Sequence, residues 1–154
     1  MEFNREITIR DARPNDSQLY YNWANDPIVR RMAFHSEPIP LESHCKWFEE
    51  KLKSEKSHLT VCYSGNTPIG QVRFDEVCEN EYEIDISVDS EFRSNGLGRE
   101  MLKVALDYVH DKYQINSFLA EVKVENIPSQ KMFMSVGFVV KKIENQIIYY
   151  KFQF

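Results

Sequence analysis

Arg93-Ser94-Asn95-Gly96-Leu97-Gly98-Arg99 stands where one periodicity gives way to another. Upstream, Tyr82-Glu83-Ile84-Asp85-Ile86-Ser87-Val88-Asp89 alternates apolar and polar residues, the period of a half-buried strand. Downstream, Met101, Leu102, Ala105, Leu106 and Val109 recur at helical spacing on one face. Two glycines at such a junction let the backbone turn tightly and let a ligand approach it closely. The first turn of the following helix presents unpaired N–H groups at a positive dipole end, which suits phosphate or pyrophosphate. A side chain at 96 or 98 would fill the space that such a group needs. Glycine also serves ordinary strand-to-helix turns, so this stretch alone leaves both readings open.

Two other phosphate motifs are excluded by spacing. Gly96 and Gly98 are not followed by Lys-Ser/Thr, as a nucleotide-triphosphate loop requires. No third glycine follows at the dinucleotide offset, and no βαβ unit opens the chain. The stretch fits Arg/Gln-x-x-Gly-x-Gly/Ala instead. About thirty residues on come Ala120-Glu121-Val122-Lys123-Val124-Glu125-Asn126-Ile127-Pro128-Ser129, then Phe133 and Gly137-Phe138. A strand, an Asn, a short helix and a Gly-Phe pair follow the glycine turn in that order. Together the two motifs resemble the GNAT superfamily of acyl-CoA-dependent N-acetyltransferases, over essentially the whole chain.

The bulk properties agree with one soluble domain spanning 1–154. A chain of 154 residues buries roughly two-thirds of its unfolded surface. Apolar residues make up 42% and charged ones 28%, and the formal net charge is −5. That acidity argues against unspecific nucleic-acid binding, which needs a basic face. It also means that a polyanionic cofactor must be held by local N–H groups and a few cations. Cys45, Cys62 and Cys78 are odd in number and scattered, which suits neither disulfides nor zinc, so no metal is expected. Met1-Glu2-Phe3-Asn4-Arg5-Glu6 is charged where a signal peptide is apolar, and no run approaches eighteen apolar residues. A cytoplasmic protein without membrane contact is expected; a homodimer is left open.

Along the chain, Ile7 and Ile9 begin a first strand, and Asp16 or Ser17 can cap a helix reaching Ala24. Asn25-Asp26-Pro27 breaks it, and a short turn carries Val29 to Met32. A loop through Phe34–Pro40 leads to a helix over Leu41–Lys53, with Leu41, Cys45, Phe48 and Leu52 spaced by three or four. Strands are expected around Leu59–Tyr63, over Ile69–Val77 and over Tyr82–Asp89, with turns at Ser64-Gly65-Asn66-Thr67 and Glu79-Asn80. After the Gly96–Gly98 helix come a strand Ser117–Val124, a helix Pro128–Val136, and strands Phe138–Ile143 and Ile147–Phe154. The order β-α-α-β-β-β-α-β-α-β-β predicts a mixed α/β (α+β) fold. It is also the order of the GNAT fold, whose mostly antiparallel sheet here would have about seven strands, splayed at its centre, and about four flanking helices.

The resemblance implies roles. Backbone groups of Ile86, Ser87 and Val88 would hold the pantetheine arm of acetyl-CoA and polarise its carbonyl. N–H groups from Arg93, Ser94, Asn95, Gly96, Leu97, Gly98 and Arg99 would hold the pyrophosphate, with charge from Arg93 and Arg99. Three acids compete for the base. Glu83 and Asp85 alternate with Ile84 and Ile86, and so share one sheet face. Glu121 precedes Asn126 by five residues, where some enzymes of the superfamily carry an active-site glutamate. Glu121 ranks first and Glu83 second, acting directly or through water. Many GNAT enzymes have Tyr where this chain has Phe133. Phe133 can pack against pantetheine but cannot protonate the thiolate, a task left to ordered water, another Tyr or the protonated amine. Ser129 and Asn126 would orient such a water, while Asn126 could equally cap its helix.

The first half should hold the acceptor. Trp23-Ala24-Asn25-Asp26-Pro27, Val29-Arg30 and Ile39-x-x-Glu42-x-His44-x-x-Trp47-Phe48 resemble a narrower group. Its members acetylate the amino group of UDP-linked deoxy sugars in pseudaminic- and legionaminic-type biosynthesis. Arg30 and Arg31 would then meet the diphosphate, Trp47 or Phe34 the uracil, and His35 and His44 the substrate. Trp23 and Phe48 read as core. The expected function is transfer of acetyl from acetyl-CoA to a primary amine of a nucleotide-linked amino sugar, in a ternary complex and without a cysteine intermediate. A peptide N-terminal acetyltransferase and a catalytically silent acyl-CoA-binding module are the alternatives.

Overall fold

The computed structural model describes residues 6–154; residues 1–5 of the charged opening lie outside the described residues. Five helices and seven strands follow one another: β1 (Ile7–Asp11), α1 (Ser17–Ala24), α2 (Pro27–Met32), α3 (Leu41–Lys53), β2 (Ser57–Ser64), β3 (Thr67–Cys78), β4 (Glu81–Val88), α4 (Leu97–Tyr113), β5 (Ser117–Lys123), α5 (Ile127–Val136), β6 (Val139–Glu144) and β7 (Ile147–Gln153). The expected short turn after Pro27 is a helix in its own right, α2, because the Asp26 carboxylate accepts from the N–H groups of Ile28 (3.0 Å) and Val29 (3.3 Å). The expected Asp16 cap of α1 does not form. Its carboxylate is held by Arg10 (2.7 and 2.9 Å) and by the Arg13 N–H (2.7 Å).

All seven strands join one sheet in the order β1-β2-β3-β4-β5-β7-β6. Every neighbouring pair is antiparallel except β4 and β5, which run parallel. On one face, Met101, Leu102, Ala105, Leu106 and Val109 of α4 and Phe133 of α5 pack with Val72, Phe74, Ile84, Phe118 and Tyr150 of the sheet. On the other face, Tyr20 and Trp23 of α1 and Phe48 of α3 pack on Leu59 and Val61. Trp23 and Phe48 are thus core, as their spacing suggested.

The parallel pair is short. Only Glu81, Tyr82 and Glu83 pair with Ser117, Phe118 and Leu119. Beyond that point β4 stays bound to β3 as far as Val88 opposite Gly70, and β5 stays bound to β7 as far as Lys123 opposite Ile147. Each strand keeps its outer neighbour while the two part from each other. The result is a wedge in the middle of the sheet, edged by backbone groups that no strand partner satisfies.

Candidate active site

The wedge opens into a cavity of about 1150 Å³. Ile84 to Val88 of β4 and Glu121 to Lys123 of β5 form its two edges, and the glycine turn with the start of α4 closes one end. Strand alternation divides the lining. Ile84, Ile86, Val88 and Val122 belong with the α4–α5 core, so Asp85, Ser87 and Glu121 point to the α1–α3 side. The cavity is therefore lined by residues from both faces of the sheet.

At the α4 end the chemistry is that of backbone. Gly96 is the N-cap of α4 with φ +73°, and no side chain caps this helix. A Cβ on Gly96 would point into open space, with nothing within 4 Å. The first N–H groups of a 17-residue helix are thus left without a side-chain acceptor beside open space, which suits an anion. Gly98 works differently from expectation. A Cβ there would meet Met132 Sδ at 3.0 Å and Val88 Cγ2 at 3.4 Å, so glycine at 98 lets α4 settle close to α5 and β4. Arg93 lines the cavity but is already paired with Asp26 at 2.9 Å, which ties the glycine turn to the cap of α2. Trp23 Nε1 donates to Asp89 at 2.9 Å and ties α1 to the same turn. Arg99 is exposed, lines the cavity and has no ion pair among the described residues. Ser94 and Leu97 also line it. Asn95 does not; its side-chain amide donates to the carbonyls of Phe92 (3.4 Å) and Arg93 (3.3 Å) and closes the turn.

The second motif supplies the floor. Asn126 caps α5, accepting from Ser129 N–H at 3.3 Å, and both residues line the cavity. Phe133 lines it too while only 3% exposed, packed edge-on to Phe138 and stacked on Tyr150. Tyr20 is the tyrosine among the lining residues, and its hydroxyl already donates to the Thr60 carbonyl at 2.6 Å. Among the described residues, no lining tyrosine therefore has a free hydroxyl to stand in for the one that Phe133 lacks.

The three candidate acids share the α1–α3 side. Glu121 is exposed and lines the cavity. Glu83 is half-buried at the last paired position of the wedge, outside the lining, and faces Asp75 across the β3–β4 pair. Burial first, then repulsion from Glu121, Asp75 and Asp85, holds its carboxyl above the usual range against the opposing pull of Arg73. Asp85 is opposite Arg73, 3.8 Å away, and Arg73 also binds Asp75 at 2.8 Å. The Arg73 guanidinium lies 4.9 Å from the centre of the Trp47 ring.

The acceptor residues expected in the first half are largely engaged in holding the fold. Arg30 lines the cavity, but its guanidinium donates to the carbonyls of Ala24 (2.6 Å), His35 (2.9 Å) and Glu37 (3.5 Å). It braces the loop between α2 and α3 through Nε and Nη1. His35 is exposed and lies outside the lining, contributing only its carbonyl to Arg30. His44 is 2% exposed, with Nε2 2.8 Å from the Ser17 carbonyl and its ring stacked on Phe48. Burial pushes its pKa down, and a ring nitrogen facing a carbonyl must carry the proton, so His44 Nε2 is a donor that ties α3 to α1. His44, Trp47 and Arg31 all line the cavity.

Gln71, Arg73 and Asp26 were not foreseen. The first two are polar residues alternating with Val72 and Phe74 in β3, and that alternation was the available signal. Asp26 was read as part of a helix break and of the Trp23–Pro27 stretch of the narrower resemblance, without a role of its own.

Comparison with known proteins places this geometry. The family described as "Acetyltransferase (GNAT) domain" matches residues 6–139. The uncharacterized SPbeta prophage-derived N-acetyltransferase YokL of Bacillus subtilis (strain 168) is 23% identical over 149 residues, covering 94% of this chain and 82% of that one. Spermidine N-acetyltransferase from Vibrio cholerae, solved with CoA and spermine, superposes with a TM-score of 0.86 at 19% identity, covering 97% of this chain and 96% of that one. Aminoglycoside acetyltransferase AAC(6')-Ib, solved with coenzyme A, gives 0.81 at 13% identity over 96% and 95%. At such identities the solved structures establish the fold, while the family match covers most of the chain. The chain belongs to the GNAT acetyltransferase family.

Proposed function

We propose that this protein transfers acetyl from acetyl-CoA to a primary amine, the two substrates entering the cavity from opposite faces of the sheet. The observation that carries the reading is the wedge: parted strand edges lead to an uncapped α4 N-terminus beside open space. Acetyl-CoA, when bound, supplies the activated thioester. The N–H groups at Gly96, Leu97 and Gly98 and the charge of Arg99 suit its pyrophosphate. Arg93 contributes from its pair with Asp26, since an arginine fork can serve two acceptors. Parted backbone groups of Ile86, Ser87 and Val88 suit the pantetheine arm and the thioester carbonyl. Phe133 provides an apolar contact beside them.

Glu121 is the proposed base, since it alone of the two ranked glutamates lines the cavity. It takes the amine proton directly or through water, with Glu83 as the second candidate. Ser129, next to the Asn126 cap, orients water for protonation of the departing thiolate. On the acceptor side, carboxylates favour a cationic amine, in keeping with the spermine bound to the Vibrio cholerae relative. The specific acceptor read from the first half is the amino group of a UDP-linked amino-deoxy sugar. Its diphosphate would meet Arg31 and its uracil Trp47, now that Arg30 and His44 are engaged elsewhere.

The test is acceptor-dependent release of CoA over a panel: a UDP-linked 4-amino-deoxy sugar, 1,4-diaminobutane, spermidine, an aminoglycoside and a peptide with a free N-terminus. Turnover of the sugar with competitive inhibition by UDP supports the full reading. Turnover of a polyamine without UDP inhibition keeps the amine and removes the nucleotide. Peptide turnover alone makes the protein an N-terminal acetyltransferase, and no turnover despite CoA binding makes it a silent module.

A further inference from the structure

Helix α2 forms part of the cavity wall, with every residue from Ile28 to Met32 in the lining. Yet none of its residues is buried, so little core packing holds it. Polar ties hold it instead. Asp26 Oδ1 accepts from the N–H groups of Ile28 (3.0 Å) and Val29 (3.3 Å), and also from Arg93 Nη2 at 2.9 Å. Lys123 Nζ donates to the Arg31 carbonyl at 3.2 Å. Just before the helix, the Asn25 side chain accepts from the Ile39 N–H (2.7 Å) and donates to the Ile39 carbonyl (2.9 Å). Of these ties, the Asp26–Arg93 pair is the one that reaches the glycine turn. A segment held by a few polar contacts, without a core of its own, belongs to the low-stability end of a fold.

We propose that Asp26 is a positioning residue: through its pair with Arg93, a bound cofactor braces α2 and so completes the acceptor side of the cavity. The proposal rests on the reading above, in which Arg93 meets the pyrophosphate and Arg31 of α2 meets the acceptor. A guanidinium presents five N–H donors in a planar fork. The pair with Asp26 uses Nη2, and Nε and Nη1 have no acceptor among the described residues. A pyrophosphate that takes those nitrogens leaves Asp26 in place. It fixes the plane of the guanidinium, and Asp26, with the two N–H groups it caps, is then held against an immobile partner. The cost of ordering α2 is met when the cofactor binds, so an acceptor arriving later finds that wall already formed. Linkage makes the effect reciprocal: the acceptor tightens cofactor binding by the same factor.

The probe is CoA, which carries the pyrophosphate but no acetyl group and so binds without turnover. At saturating CoA, hydrogen exchange at the Ile28, Val29 and Arg30 amides should slow about fivefold or more in wild type, the low end of coupling between sites. Asp26→Ser keeps a good helix cap but removes the charge that holds Arg93; it should bind CoA and show no such slowing. With the panel's best amine present, the calorimetric affinity for CoA should rise by a like factor in wild type and stay unchanged in the variant. If Asp26→Ser fails to fold, Arg93→Met, which leaves the cap intact, should lose the slowing in the same way once CoA is saturating. Unchanged or faster exchange in CoA-bound wild type overturns the proposal. Slowing that persists in Asp26→Ser also overturns it, since the cofactor would then shield α2 directly. Failure of every amine overturns the amine reading, and the exchange measurement still decides this proposal. Wild type that binds no CoA overturns the cofactor reading and this proposal with it.

Discussion

On the α4 side of the sheet the cavity is built from backbone: parted strand edges, a glycine in the left-handed region and the first turn of a long helix. On the α1–α3 side it is built from side chains, with Gln71, Arg73, Asp85 and Glu121 on the sheet and Trp47 and Met32 over them. A backbone site needs glycines at fixed offsets, so it writes itself into the chain as a motif. A side-chain site depends on which groups are already engaged, and that is settled by residues far away in sequence. Arg30 shows the difference. It looks like a cation for a diphosphate, but three carbonyls occupy its guanidinium.

The largest expected effect falls where the two sides meet. Glu121→Gln should lower kcat by about 10²–10⁴-fold at neutral pH, the usual worth of a general base. Activity should partly return at higher pH, where more of the amine is already deprotonated. If Glu121→Gln keeps full activity while Glu83→Gln loses it, the base lies at the apex of the wedge and not on its edge. A pH–rate profile of both variants decides.

Arg30→Ala separates a brace from a ligand contact. As a brace, Arg30 contributes on the order of 1.5 kcal/mol through charge-assisted hydrogen bonds, so its loss should lower the melting temperature by a few degrees in a chain of this size. Acetyl-CoA affinity should hold. An unchanged melting temperature with UDP inhibition abolished would return Arg30 to the acceptor site.

The smallest effect concerns Glu83 and stability. A carboxyl whose folded pKa is raised binds its proton more tightly in the folded than in the unfolded chain. Stability from this group is then full below the unfolded carboxyl pKa of about 4.3 and declines as pH rises toward the higher folded value. Glu83→Gln, which cannot ionise, should therefore melt slightly above wild type at pH 7, and the gap should close near pH 4. Thermal melts across that range check the sign; a variant less stable at pH 7 than at pH 4, relative to wild type, would show that Glu83 is a stabilising anion.

The wedge itself was legible only through resemblance. Alternation identified β4 and β5 and helical spacing identified α4, but no local pattern states that a parallel pair stops after Glu83 and Leu119. Ends such as Leu41 and Lys53 of α3 were readable because proline precedes the helix and its apolar stripe stops. Helix α2 was underread because its stability comes from the Asp26 cap and the Arg93 pair, a contact across 67 positions of chain. Phe133 and Gly96 fell where the motifs put them. His44 is buried against Ser17 and Phe48 and His35 lies outside the cavity lining, because a histidine's surroundings depend on burial and partner, which composition cannot supply.

The most direct measurement is calorimetric titration of acetyl-CoA into wild type and into Gly96→Val, each shown to be folded by circular dichroism. Valine at φ +73° meets a backbone penalty of about 1–2 kcal/mol and projects a branched side chain into the space in front of the uncapped α4. The account predicts one site in wild type and an affinity lowered about tenfold or more in the variant. Equal affinity in the two folded proteins would contradict it, and would place the cofactor away from the glycine turn.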